Sequence, residues 1–287
     1  MITFAHSPDT DDYFFVWPIS FNRIDCEELE FSFVTHDTET LNRLACEAKY
    51  DVSAVSVGAI PFLAEHYAIL PYGASIGRGY GPVVVAKQSV TLEELRHLTV
   101  GIPGEMTTAA RVFRQLVPQA KVVELSIDPF SLMFEALEQG RVDALVLIHE
   151  GQLSYRSYGL KLVVDLGKWW TDETGLPLAL GVNVVRRSLG LDTMNRIARV
   201  LRRSIDYSMN HRDESLEQAA ICAGKRSLDR VARDRIDTYL SLYANQDALG
   251  LDSECREAIT KLTTSLKPNV SGYEEAPTAL LSHTKTR

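Results

Sequence analysis

The chain has 287 residues, with 30 Lys and Arg against 38 Asp and Glu and a formal net charge of -8. Hydrophobic residues make up 45% and charged residues 24%, ordinary values that exclude a disordered or fibrous chain. The acidic balance argues against nucleic acid or an anionic membrane as partner, since both need a cationic surface, and the length suits about two domains or one large one.

In chain order, Ile2 to Ala5 reads as a short strand ending in the polar loop Ser7-Pro8-Asp9-Thr10-Asp11-Asp12. The aromatic run Tyr13 to Trp17 follows, with an N-cap signal before it. Leu29 to Val34 alternates as a strand, and Thr38 to Lys49 carries Leu41, Leu44, Ala45 and Ala48 at helical spacing. Asp51 to Val57 is a β-branched run that turns at Ser56 into a helix over Gly58 to His66. A glycine cluster (Gly73, Gly77, Gly79, Gly81) precedes the strand Val83 to Ala86, the short helix Leu92 to Leu95 and the strand Thr99 to Pro103. A helix starts near Met106, Lys121 to Leu125 is a strand, and Pro129 to Gly140 is a helix. Val142 to Ile148 is nearly all apolar, as a strand covered on both faces should be, and ends at His149-Glu150.

Strands alternate with helices through residue 185, which predicts an α/β fold with a largely parallel sheet. Beyond residue 190 the pattern turns helical. Ile197, Val200, Leu201, Ile205 and Met209 make Thr193 to Asn210 a long amphipathic helix; two or three more follow, and the tail from Lys267 reads as loosely ordered. The N-terminus has neither the basic start nor the apolar core of a secretory leader. The longest mostly apolar run, Ala54 to Ala64, is too short to span a bilayer. A soluble, cytoplasmic protein is expected. Cys26, Cys46, Cys222 and Cys255 form no C-x-x-C pair and read as reduced, mostly buried thiols rather than a metal or redox site.

Three loops fall at the carboxyl ends of predicted strands, where open α/β sheets bind ligands. Ser7 to Asp12 reads either as a donor and carboxylate set lining a cleft or as plain helix capping, and its spacing is not that of a Ca²⁺ loop. Gly104 to Ala110 leads into a helix whose first N–H groups sit beside Thr107 and Thr108; this suits a carboxylate or phosphate, and equally an ordinary N-cap. His149 is the best placed of seven histidines to act as a general base, with Glu150 beside it; the competing reading is a satisfied structural histidine. No P-loop, G-x-G-x-x-G or G-x-S-x-G is present. Residue chemistry alone therefore reaches a two-lobed α/β binder of a small anion, with a histidine available as base.

These loops also carry a resemblance. Ser7-Pro8 with Asp12 and Phe14, Glu39-Thr40-Leu41-Asn42-Arg43, Ser56, Gly77-Arg78-Gly79-x-Gly81-Pro82 and Pro103-Gly104-x-x-Thr107-Thr108-Ala109 belong to it. Ile148-His149-Glu150, Trp169-Trp170 and Thr174-Gly175-Leu176-Pro177-Leu178 complete the ordered set. In these the chain resembles the 1,4-dihydroxy-6-naphthoate synthase family of the futalosine route to menaquinone, which is built like type II periplasmic solute-binding proteins.

The resemblance implies a two-lobed type II periplasmic-binding-protein-like fold, with mostly parallel sheets joined by two crossing hinge strands. Residues 1–86 plus 187–287 would form the larger lobe and 87–186 the smaller. It implies proton abstraction by His149 from cyclic dehypoxanthine futalosine, loss of the sugar fragment, and no metal or organic cofactor. Thr107, Thr108 and Ala109 would hold an anionic end of this carboxylate-bearing small molecule, with Ala54, Val55, Ser56, Ser7 and Asp12 as further contacts. Two departures stand out: relatives carry Ser-Pro-Cys-Pro-Asn-Asp over residues 7–12, so Asp11 replaces an Asn donor, and Ala54 replaces a lysine. Arg78 is expected to supply a cation instead, and Trp169 and Trp170 either close the cleft or pack in the core. The rivals are chorismate dehydratase, of the same pathway and fold, and a non-catalytic solute-binding protein.

Overall fold

The computed structural model describes residues 1–222 and 230–266; the tail from Lys267 lies outside the described residues. The chain runs β1 (Ile2–His6), α1 (Thr10–Ser20), β2 (Phe31–Thr35), α2 (Thr38–Cys46), β3 (Val52–Ser56), α3 (Ile60–Leu63), β4 (Tyr67–Ile69), β5 (Ser75–Gly77) and β6 (Val83–Ala86). It continues through α4 (Leu92–Leu95), β7 (Thr99–Ile102), α5 (Thr108–Leu116), β8 (Lys121–Glu124), α6 (Ser131–Glu138), β9 (Ala144–Leu147), α7 (Gly151–Ser154), β10 (Lys161–Asp165) and α8 (Leu166–Thr174). The long strand β11 (Leu178–Arg186) then leads to α9 (Gly190–Asn210), α10 (Arg212–Cys222), α11 (Arg230–Tyr243) and α12 (Ser253–Leu266).

Side-chain caps set several helix starts. Asp37 Oδ1 accepts the Thr40 N–H at 3.1 Å, and Thr91 with Glu94 forms a reciprocal capping box. Helix α1 is apolar on most of its circumference, with Phe14, Phe15 and Trp17 buried, because it packs against α9, α10 and α11 rather than water.

Two sheets result. The first has the order β2-β1-β3-β11-β4, with β5 also pairing β11; the second has the order β10-β6-β9-β7-β8. Both are mixed, which corrects the expectation of mostly parallel sheets: β1 runs parallel to β2 and β3, and β7 to β8 and β9, while β11 and β6 run antiparallel to their neighbours. The antiparallel strands are the ones nearest the two chain crossings. Strand β6 already belongs to the second sheet and β11 has already returned to the first. The expected boundaries at 86/87 and 186/187 each fall one strand late, since hydrogen bonds rather than position in the chain assign a strand.

One apolar core joins the two sheets, taking Val55, Val182 and Val184 from the first, Val84, Val100 and Val146 from the second, and Phe113 and Ile259 from α5 and α12. A second core around α1 buries Phe14, Ile197, Leu201, Ile236 and Leu240. Among the described residues no helix is long and apolar enough to cross a membrane.

Candidate active site

The loops after β1, β7 and β9 converge on a cavity of about 700 Å³, counting its open mouth, between the sheets. That lies within the usual range for small-molecule sites. Its floor is the β3 end Ala54 to Ser56 with Leu180 to Asn183 of β11; Ser7 comes from the loop after β1, Asp11 and Asp12 from the first turn of α1, Thr107 to Ala109 from the start of α5, His149 from the loop after β9 and Gln152 from α7. Tyr239 and Tyr243 of α11 complete the wall.

The His149 backbone adopts φ +51°, in the left-handed region that non-glycine residues rarely occupy. The turn carries the side chain from the end of β9 across to the other sheet. Its Nδ1 lies 3.1 Å from Asp9 Oδ2, and its Nε2 lies 3.0 Å from the Thr38 hydroxyl. With the Asp9 carboxylate accepting from Nδ1–H, the lone pair is on Nε2, to which the Thr38 O–H donates. The ring thus takes both partners from the other lobe. Thr10 adds a third link, its hydroxyl donating to Glu150 at 3.0 Å. Gln152, with its amide oriented to accept the His149 backbone N–H at 3.1 Å, donates to Gly81 and Tyr243 and fixes the turn. His149 also borders a second hollow, which Arg235 lines as well.

Burial raises the Asp9 carboxyl above its ordinary range, while the adjacent His149 pulls it back. Asp11 is pushed up further, by burial first and then by Asp12 and Asp9. Asp12 accepts the Ser7 N–H at 2.7 Å, which closes the loop on itself.

At the opposite wall the threonines are committed to the protein. Thr107 Oγ1 donates to the Gly104 carbonyl at 2.8 Å and accepts the Ala110 N–H at 3.2 Å. Thr108 Oγ1 accepts from the Gly58 N–H at 2.9 Å and donates to the Leu180 carbonyl at 2.7 Å, pinning α5 to the first sheet. The donors left at this end are the N–H groups of Thr108 and Ala109, which have no partner among the described residues. Ser56 Oγ accepts from Asn42 at 3.1 Å, and its own O–H proton remains available to the pocket.

The structure brings Ser7, Asp12, Ala54, Val55, Ser56, Thr107, Thr108, Ala109 and His149 to this one cavity. It does not bring Arg78 there. That guanidinium is bound by Asp247 at 2.7 and 2.9 Å, by Asp252 at 3.1 Å and by Glu254, because residues more than 160 positions away in sequence fold over it. Trp169 and Trp170 pack in the core rather than at the cleft, with Trp170 Nε1 donating to the Pro177 carbonyl at 3.1 Å. Of the four cysteines only Cys255 is buried; Cys26, Cys46 and Cys222 are half-buried, which corrects the expectation of mostly buried thiols. Sequence reasoning missed Thr38, Gln152, Tyr239 and Tyr243 and gave Asp9 no role of its own. Only the four-residue spacing of the two tyrosines on one helix face offered a signal.

Comparisons with known proteins agree with this architecture. Residues 2–267 match the family model described as menaquinone biosynthesis. The 1,4-dihydroxy-6-naphthoate synthase of Thermus thermophilus is 34% identical over 256 residues, covering 89% of this chain and 90% of that protein. The enzyme of the same name from Streptomyces coelicolor is 31% identical over 265 residues, covering 91% and 90%. A crystal structure from Archaeoglobus fulgidus superposes with a TM-score of 0.85 at 37% identity, covering 94% of this chain and 98% of the other. The periplasmic aliphatic sulphonate binding protein of Escherichia coli, at 13% identity, TM-score 0.64 and coverage of 96% and 95%, shares the fold alone. From its sequence, its mixed-sheet architecture and the extent of these matches, the chain belongs to the menaquinone biosynthesis family.

Proposed function

We propose that this protein is an enzyme of the 1,4-dihydroxy-6-naphthoate synthase type, acting in the cytoplasm on cyclic dehypoxanthine futalosine with His149 as general base. Nε2 removes a proton from the carbocycle, the electron pair moves into the ring as the sugar fragment leaves, and the second ring becomes aromatic. The protein's tasks are then to position the substrate, to accept one proton and to stabilise charge growing on oxygen.

The observation that carries this reading is the imidazole held between Asp9 and Thr38 on the wall of a cavity of substrate size. Asp9 fixes the tautomer that leaves Nε2 free to accept, and it stabilises the imidazolium formed after transfer. Substrate entry displaces the Thr38 hydroxyl from Nε2. Across the cavity the free N–H groups of Thr108 and Ala109, at the positive end of α5, and the Ser56 hydroxyl suit a carboxylate or a developing oxyanion. Ser7, Asp12, Ala54 and Val55 line the rest of the substrate volume. Because His149 takes both ring partners from the opposite lobe, opening the cleft disassembles the base and closure assembles it.

The test is turnover of cyclic dehypoxanthine futalosine by purified protein, followed as naphthoate formation beside folded His149→Ala. Product from the wild type and its loss in the variant support the reaction and the base together. Product that survives the substitution overturns His149 as base. A wild type that leaves this substrate untouched but dehydrates chorismate would replace the assignment with the sister activity.

A further inference from the structure

The pocket that is to hold an anionic substrate has no lysine or arginine among its described lining residues, yet it contains Asp11 and Asp12. Asp11 is only 6% exposed. Its Oδ2 takes a 3.3 Å hydrogen bond from Ser75, whereas Oδ1 is buried with no hydrogen-bond partner. A buried carboxylate with an unpaired oxygen is costly, and a buried polar group of this kind calls for an explanation. Among the described residues, the groups around it supply no compensating cation. Asp9 and Asp12 flank it on the first turn of α1 and its cap, and Tyr239 and Tyr243 approach from α11, with Glu150 beyond them. From α10, Arg212 lies over the Phe14 ring and is bonded to Asp237 and Ser241. His149 faces Asp9. An ionised Asp11 would therefore be unstable there and would repel an incoming carboxylate.

We propose that Asp11 is held as a neutral carboxylic acid in the pocket wall and that its O–H donates a hydrogen bond to an anionic oxygen of the substrate. The inference deepens the function proposed above and rests on it. It also accounts for an Asp at a position where an amide would be the simpler donor: a protonated carboxyl has an O–H to give, and an O–H···O⁻ bond is among the short, strong kinds. Burial first, then Asp12 and Asp9, favours the neutral form and outweighs the Asp11 and Asp12 backbone N–H groups, which favour the charged one. The contact is lost as pH rises through the elevated ionisation range of Asp11, so affinity for the anion falls on the alkaline side.

Two measurements on the full chain test this. The first needs no ligand: an infrared difference spectrum between wild type and Asp11→Asn at neutral pH should contain the carbonyl stretch of one neutral carboxylic acid. Its absence would overturn the proposal. The second is calorimetric binding of 1,4-dihydroxy-6-naphthoate, the anionic product of the proposed reaction, across pH. Asp11→Leu should bind about tenfold or more weakly, the loss expected for a hydrogen bond to a charged group. Asp11→Asn should retain affinity through its N–H₂ while losing the alkaline decline. Equal affinity in wild type and Asp11→Leu would overturn the donor role even with the infrared band present. A wild type that shows the band but binds no naphthoate would overturn the naphthoate reading and the proposed contact together, leaving only the neutral carboxyl.

Discussion

Two groups of three clustered carboxylates in this molecule meet opposite fates. Asp247, Asp252 and Glu254 surround Arg78, whose guanidinium is bonded to all three. Asp9, Asp11 and Asp12 crowd the first turn of α1 and its cap; Asp11 and Asp12 line the pocket, which has no arginine or lysine among its described lining residues, and Asp9 faces the second hollow. In the first group the Cys255 N–H and then Arg78 hold Asp252 below its ordinary range. In the second, burial holds Asp9 and Asp11 above theirs. The number of acidic residues does not separate the groups; burial and the hydrogen-bond partners each group finds do. Around Arg78, the carboxylates form a charged clasp between the β5–β6 connection and the start of α12. Buried beside one another with no guanidinium bonded to them, Asp9 and Asp11 hold their protons more tightly, which is the property a proton-transfer site uses.

The largest effect should come from breaking the second group where Asp9 meets the His149 ring. Asp9→Asn is expected to lower kcat by about 10²–10⁴-fold, the range for losing an effective general base, with a far smaller change in KM; a pH–rate profile of the variant against the wild type checks it. Removing the cation from the first group should instead cost stability and not turnover. Arg78→Met leaves Asp247 nearly buried without its partner, and a loss of about 1–3 kcal/mol in urea unfolding is expected. That is below the figure for a fully buried pair, because the Arg78 side chain is 39% exposed. A large rise in KM with unchanged stability would return Arg78 to the substrate site.

Asp11→Asn sharpens the contrast through pH. The folded protein binds the Asp11 proton more tightly than the unfolded chain does. Wild-type stability therefore falls as pH rises from the ordinary carboxylate range through the elevated one. The variant escapes that loss, so it should be the more stable form at neutral and alkaline pH, by about 1 kcal/mol or more, with the gap closing in acid. Denaturant midpoints measured across pH decide it, and a gap that widens in acid would contradict it. The smallest effect belongs to Glu254→Gln, an exposed arm of the Arg78 clasp. Its cost should be a few tenths of a kcal/mol and should vanish at about 1 M salt.

The sequence pattern carried much of the fold because α/β alternation is written locally. Val142 to Ile148 announces a doubly covered strand by being apolar throughout, and observed β9 lies within it. The capping residues Asp37, Thr91 and Thr107 mark helix starts by their own chemistry. Strand direction was not legible in this way. Whether β6 runs parallel or antiparallel to β9 depends on which sheet captures the chain after the Gly77–Pro82 connection, and nothing in Val83 to Ala86 encodes that.

At the site, position was legible and partnership was not. The sequence put His149 at the end of an apolar strand and Thr107 at the start of a helix, both consequences of residues within a few positions. It gave no sign that the Thr107 and Thr108 hydroxyls would be consumed within the protein, that Arg78 would be taken by carboxylates from the far end of the chain, or that Asp9 and Thr38 would grip the imidazole from another lobe. The amino-acid sequence by itself determined the elements, their caps and the side chains offered at each strand end, since these depend on near neighbours. Only the tertiary structure decided which charges meet and which are buried alone. Coulomb interactions and desolvation depend on distance and burial in space, and the fold brings together residues more than 100 positions apart, as it does Thr38 and His149.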